Sequence, residues 1–272
     1  MRRLLLVVLL AWPLAAAAQA SSPPAAVPGA EEMAPHRALY RLVLDPGRNA
    51  AGLQAAEGLL LFEVEDACEG WATRQRFRLI VEDQDGNRVE TVSEHATFEA
   101  KDGSALRFSL TQVTEGAVTQ RIRGEAVMGP DGGRVVFQDP VPTERRLAPG
   151  TLFPMLHTIR ALAAARQGQR ILVAPLLDGT DADGPQDTTT LILSPWLPPQ
   201  PHPRHPALSA LPSARMRIAF FEAGQAGAAA TPSYEVSLRY WANGVADEVT
   251  MDFGDFRLNG ALLELQPLPG GC

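Results

Sequence analysis

The sequence predicts a mainly β fold: an antiparallel meander of about 12–14 strands curled into a barrel or spiral, with one amphipathic helix over about 151–167. Three observations predict it. Short segments that alternate apolar and polar residues recur from His36 onward, and a period of two marks half-buried strands. Turn residues, each with a definite backbone role, separate those segments at regular spacing. One stretch alone, 151–167, carries apolar residues at helical spacing.

The elements follow in order. Residues 37–44 alternate, and Asp45-Pro46-Gly47 reads as a turn. Residues 58–64 form a second strand that ends at the corner Cys68-Glu69-Gly70. A long strand over 71–81 puts Trp71, Phe77, Leu79 and Val81 on one face. Asp85-Gly86-Asn87 turns into a strand over 88–99, Asp102-Gly103 into 105–113, Glu115-Gly116 into 117–127, and Pro130-Asp131-Gly132-Gly133 into 134–138. Thr151 is a candidate helix cap and Gly168 a candidate stop, with Leu152, Leu156, Ile159 and Leu162 on the face that packs onto the sheet. Strands resume at 170–176, 188–193, 215–221, 234–243, 245–253 and 256–265. Residues 195–212 hold seven prolines and read as a long exposed loop, because proline donates no ladder hydrogen bond.

The N-terminus reads as an export signal. Arg2 and Arg3 precede an apolar run over 4–14, and Ala18-Gln19-Ala20 supplies the small-residue cleavage site, which places the protein in the periplasm of a Gram-negative bacterium by the Sec route. The apolar run is shorter than the roughly 20 residues a membrane-spanning helix needs, and no later segment qualifies. Residues 21–35, rich in Pro and Ala, read as a disordered leader, which leaves 36–272 as a single domain. Loss of Arg2 and Arg3 takes the formal charge from −7 to −9, which argues against nucleic acid or an anionic membrane surface as partner. The cysteines are Cys68 and Cys272. In an exported chain an even count suggests a disulfide, which here would tie a strand end to the last residue; the alternative is two free thiols.

The candidates for chemistry are few. Asp178, Asp181 and Asp183 resemble a calcium loop, but the acids are spaced three and then two apart and no closing Glu follows, so a polar turn is the preferred reading. His202 and His205 could ligate zinc, but no Cys or acid lies near them in sequence. His157, on the helix, could serve as a general base, yet no Ser or Cys stands in a nucleophile motif; His36 and His95 lie in strand patterns. There is no phosphate-binding or dinucleotide loop. Nothing in the residues points to an enzyme, a metal or a cofactor.

Several segments together are family-like: His36-Arg37-Ala38-Leu39-Tyr40, Ala67-Cys68-Glu69-Gly70-Trp71, Gly129-Pro130-Asp131-Gly132, Phe153-Pro154 with His157, Leu177-Asp178-Gly179-Thr180-Asp181, and the terminal cysteine. In order and spacing this set resembles the EipB-like family of periplasmic cell-envelope integrity proteins, a former domain of unknown function, over about residues 36–272. The resemblance implies a β-spiral with a helix lodged in it around an internal cavity, a Cys68–Cys272 disulfide, no catalytic residue, and cooperation with periplasmic proteins such as ones carrying tetratricopeptide repeats. The proline-rich insertion at 195–212 departs from the family pattern. The expected function is therefore non-enzymatic support of the envelope through a lipid, a lipoprotein or another hydrophobic ligand, or through an envelope protein partner. The alternatives are a pure interaction module for a tetratricopeptide-type protein and a glycan or peptidoglycan hydrolase.

Overall fold

The computed structural model describes residues 26–224 and 231–271. The export signal expected over 1–20 therefore lies outside the described residues, as does Cys272.

Alternation and turn chemistry produce a single sheet. In chain order come β1 (His36–Asn49), β2 (Ala55–Asp66), β3 (Gly70–Glu82), β4 (Arg88–Ala100), β5 (Ala105–Thr114), β6 (Ala117–Gly129), β7 (Gly132–Asp139) and β8 (Thr143–Leu147). Helix α1 (Pro154–Arg166) follows. Then come β9 (Ile171–Leu176), β10 (Gln186–Ile192), β11 (Ser213–Phe221), β12 (Tyr234–Trp241), β13 (Ala246–Asp252) and β14 (Phe256–Pro267). All 14 strands belong to one antiparallel sheet, ordered β8 to β1 and then β14 to β9. Two meanders are thus joined along one seam, where β1 pairs β14 with Arg41 opposite Ala261 and Leu42 opposite Gly260. The Tyr40 hydroxyl donates to the Ala246 carbonyl at 2.8 Å and ties β13 to the same seam.

The sheet curls back on itself without closing. Its edge strands, β8 and β9, are not paired with each other. The two edges meet where Leu152, just past β8, lies parallel to Leu176 at the end of β9. There the Leu152 N–H donates to Pro175 at 2.8 Å and the Leu177 N–H to Leu152 at 3.0 Å. Two apolar cores result. One gathers β1–β3, β10–β14 and the helix; the other lies inside β5–β8 and includes Phe153 and Leu177.

Several expectations need correction. Strand β1 continues through Asp45-Pro46-Gly47, where Asp45 accepts the Gly47 N–H and the pairing register shifts, so the turn signal marks a strand irregularity. Strand β8 was not foreseen: Thr143-Glu144-Arg145-Arg146-Leu147 is polar because it is an edge, and charge discourages further pairing there. Residues 26–35 do not behave as a disordered leader. Ala30 and Met33 are buried, the Val27 N–H donates to Lys101 and the Ala34 N–H to Asn243, each at 3.0 Å. The helix is not one-faced. Met155, Leu156, His157, Ile159, Ala161, Leu162, Ala164 and Ala165 are all buried, as expected of a helix enclosed on most sides.

Thr151 does not cap this helix; its hydroxyl donates to Ala148 instead. The N-cap residue is Phe153, with Pro154 at the first helical position, and no local side chain reaches the exposed N–H groups. Glu99 of β4 does so from across the interior. Its two carboxylate oxygens accept the Met155 and Leu156 N–H groups, each at 2.7 Å. The side chain is 2% exposed. Burial pushes its carboxyl up to about 8, against the downward pull of the two N–H groups. Glu99→Ala should lower unfolding stability by roughly 2–5 kcal/mol in a denaturant titration, because two buried donors lose their acceptor. The folded state holds this proton more tightly than the unfolded chain. The contribution is therefore full below the ordinary glutamate range and is lost as pH rises towards 8. The stability margin of the wild type over Glu99→Gln should accordingly shrink between pH 5 and pH 8, and a margin that grows would contradict this assignment.

Candidate functional site

With the helix seated at one end of the curled sheet, the inner face is filled unevenly. On β3, Trp71 is buried, while Phe77, Leu79 and Val81 on the same face are only half-buried. On β4, Glu99 and Thr97 are buried but His95, Ser93 and Thr91 are not fully covered. On β5 the change falls between Leu110 and Gln112, on β6 between Ile122 and Gln120, and on β12 between Leu238 and Val236. The antiparallel registers place all these half-buried positions at the same end. That end is open.

Its walls differ in chemistry. Phe220, Tyr234, Phe253 and Phe256, from β11 to β14, form a continuous aromatic rim, with successive ring centroids 5.6, 5.1 and 4.9 Å apart. Phe77, Leu79 and Val81 extend this apolar wall. Opposite stand the polar side chains Thr91, Ser93 and His95 of β4, Gln112 and Thr114 of β5, and Gln120 of β6. A surface with an apolar wall and a hydrogen-bonding wall suits an amphipathic molecule.

The loop over 177–184, singled out in sequence as a possible cation loop, runs across this end. Gly179 has a φ of +79°, and a Cβ there would fall 2.3 Å from the Phe108 ring, so only glycine allows the loop to lie this close. Asp178 accepts from the Thr180 N–H and hydroxyl, and Asp181 from the Asp183 N–H, so the loop folds on its own Asx turns. No group of three or more His, Cys, Asp or Glu among the described residues is arranged to hold a metal.

The histidines are dispersed. His157 is 3% exposed, with Nε2 2.9 Å from the Thr190 hydroxyl, and burial pushes it down to about 4, so it is a neutral tie between α1 and β10. His36 bonds the Ala34 carbonyl at 2.7 Å. His202 and His205 anchor the proline-rich loop, which is therefore not simply exposed. Nδ1 of His202 accepts the His205 N–H at 2.8 Å, so Nε2 carries the proton and donates to Asp247 at 2.8 Å. His205 donates to the Leu262 carbonyl at 3.1 Å, and Leu208 is fully buried beside it. These bonds use the nitrogens a zinc ion would need. Cys68 sits at the exposed β2–β3 corner with φ +68°, and its Sγ is 3.7 Å from the Gly271 carbonyl oxygen.

Sequence reasoning missed Glu99 and the aromatic rim. A readable signal existed for Glu99: alternation along 91–99 puts it on the inward face, where a carboxylate needs a partner.

Comparison with known proteins places this geometry in context. The family described as EipB-like matches residues 28–269. A cell envelope integrity protein, EipB, of Brucella abortus (strain 2308) is 29% identical over 246 residues, which cover 89% of this chain and 86% of that protein. A crystal structure of a β-barrel-like protein of a domain of unknown function, also from Brucella abortus, superposes with a TM-score of 0.78 at 26% identity, covering 87% of this chain and 99% of the other.

His202→Ala should release the loop over 195–212, seen as faster tryptic cleavage after Arg204 with a stability loss of about 1–3 kcal/mol. An unchanged cleavage rate would contradict the anchor. With a fold, a length and a family pattern that agree, the chain belongs to the EipB-like family.

Proposed function

We propose that this is an exported, periplasmic, non-enzymatic protein that supports cell-envelope integrity by taking up a hydrophobic ligand at the open end of its curled sheet. The observation that carries this reading is the aromatic rim from Phe220 to Phe256, left half-buried on the inner face of the sheet. Rings left half-buried forgo part of their favourable burial, and a ligand recovers it. The similarity to a cell envelope integrity protein of Brucella abortus supports the envelope role. The N-terminal Arg2–Ala20 pattern supports Sec export with cleavage near Ala20. Native mass spectrometry of protein taken from its own periplasm should find a lipid-sized adduct. Protein that is empty in every preparation would contradict ligand carriage.

A disulfide between Cys68 and Cys272 belongs to the same reading. The chain end approaches the corner so closely that a Cβ on Gly271 would meet the Asp66 carbonyl at 1.7 Å. Lys101, the only lysine, holds that corner by pairing with Asp66 at 2.5 Å while lying 4.6 Å over the Trp71 ring. The bond would close a loop of about 200 residues and stabilise the fold by roughly 5 kcal/mol on the chain-entropy model. Cys68→Ser should lower the melting temperature, and reductant should lower it in the wild type alone; equal melting with and without reductant would rule the bond out.

A second reading, an interaction module for an envelope protein of the tetratricopeptide type, is favoured by one feature. Edge strand β9 shows Ile171 and Val173 at 56% and 64% exposure, where β8 shows charge. Crosslinking in cells would then capture one dominant partner at β9.

A further inference from the structure

The anchors of the proline-rich loop over 195–212 lie on its inner side, and its outer side is bare. Tyr240 of β12 faces the helix, where its hydroxyl lies 3.3 Å from that of Thr158, so alternation turns its neighbours Arg239 and Trp241 to the outer face of the sheet. Both are buried there, because the loop lies over them, and the His202 ring stands edge-on to Trp241 at 5.7 Å. Three ties hold the loop down. Leu197 and Ser213 exchange main-chain hydrogen bonds of 2.7 and 3.0 Å, His202 donates to Asp247 at 2.8 Å, and His205 donates to the Leu262 carbonyl at 3.1 Å.

Between the first two ties runs Pro198-Pro199-Gln200-Pro201, and all four residues are exposed. The prolines fix φ at about −65°, and a residue that precedes proline is pushed to extended ψ, which applies to Leu197, Pro198, Gln200 and His202. No main-chain group of the four takes part in a hydrogen bond among the described residues. An extended, proline-fixed backbone whose carbonyls face water is a polyproline II segment. Such a segment has three residues per turn, which puts Pro198 and Pro201 on one edge, about 9 Å apart. The chain then bends at Pro203 and Arg204, and the exposed Arg204 side chain is in no ion pair among the described residues.

We propose that Pro198–Pro201 is a preformed ligand for a partner protein whose aromatic-lined groove ends in acidic side chains. Ring faces of the groove pack on the pyrrolidine edges, its indole or phenol donors meet the open carbonyls, and its acidic end takes Arg204. The segment carries no charge of its own and Arg204 is a single cation on a chain of net charge −7, which suits such a groove and not an anionic membrane or a nucleic acid. The ties beneath fix the segment before it binds, so little conformational entropy is lost on association. This surface lies on the outer face and is independent of the ligand site at the aromatic rim.

The test uses an isotope-labelled SH3 domain as the probe, a groove of aromatic rings with an acidic pocket at one end, titrated with the full mature chain. The groove resonances should shift saturably. The intact chain should bind about tenfold more tightly than a free peptide of residues 195–206, because the fold has already ordered the segment. Pro198→Ala with Pro201→Ala should abolish binding, and Arg204→Glu should weaken it about three- to tenfold, an effect that added salt reduces. Matching circular dichroism and melting temperature establish that these surface variants fold. Absence of saturable binding leaves the loop as a cover for Arg239 and Trp241 only and overturns the proposal. Binding that survives the double proline substitution overturns it, and so does a free peptide that binds as tightly as the intact chain.

Discussion

The arrangement depends on one carboxylate. A helix placed inside a curled sheet brings unsatisfied N–H groups into a region without water, and Pro154 and Phe153 offer them nothing. Glu99 supplies both acceptor oxygens from the end of β4, in the first meander, while His157 and Thr158 bond Thr190 and Tyr240 in the second. The helix therefore links the two meanders across the interior, in addition to their seam at β1 and β14 and the bridge of Leu152 to Leu176. A charged carboxylate in this position would be unfavourable. The N–H groups of the helix terminus offset part of that cost, and the carboxyl's rise to about 8 records that burial outweighs the match and keeps the proton on Glu99 below that pH.

The same placement explains why the inner face is unequal. Thirteen helical residues fill one end and stop. Beyond them the strands continue with inward side chains that are only partly buried at the margin of the core. The first meander brings hydroxyls and amides to this space, and the second brings aromatic rings. The loop over 177–184 crosses it because Gly179 permits close approach to Phe108, and its three aspartates serve its own turns and one exposed arginine. What looked like a cation motif is the means by which a loop keeps its shape over an opening.

Much of the fold was legible in the sequence, and for a clear reason. Alternation and turn residues are local, so the strands other than β8, and the one helix, could be read from neighbours in the chain. Strand β8 escaped because an edge strand carries charge instead of an alternating apolar face. The cap at Glu99 escaped because it joins residues 56 apart, and one-dimensional patterns carry no such pairing. Residues 26–35 looked too polar and proline-rich to order, yet Ala30 and Met33 find a ready-made apolar surface, so composition alone misjudged them. For the site, the histidines were visible but not ranked. His157 drew attention by its place on the helix and is a structural tie, whereas His95, set aside as a strand residue, holds the unmatched nitrogen. Their difference lies wholly in their three-dimensional neighbours.

The central claim is that the open, aromatic-rimmed end is the functional surface. An NMR titration of the mature protein with glycerol monooleate tests it most directly. The account predicts that the resonances of Phe77, His95, Phe220, Tyr234, Phe253 and Phe256 shift together and saturably, while those of the helix and of edge strand β9 stay still. Shifts confined to Ile171 and Val173, or to the outer face around Arg134 and Arg146, with an unmoved rim, would contradict it.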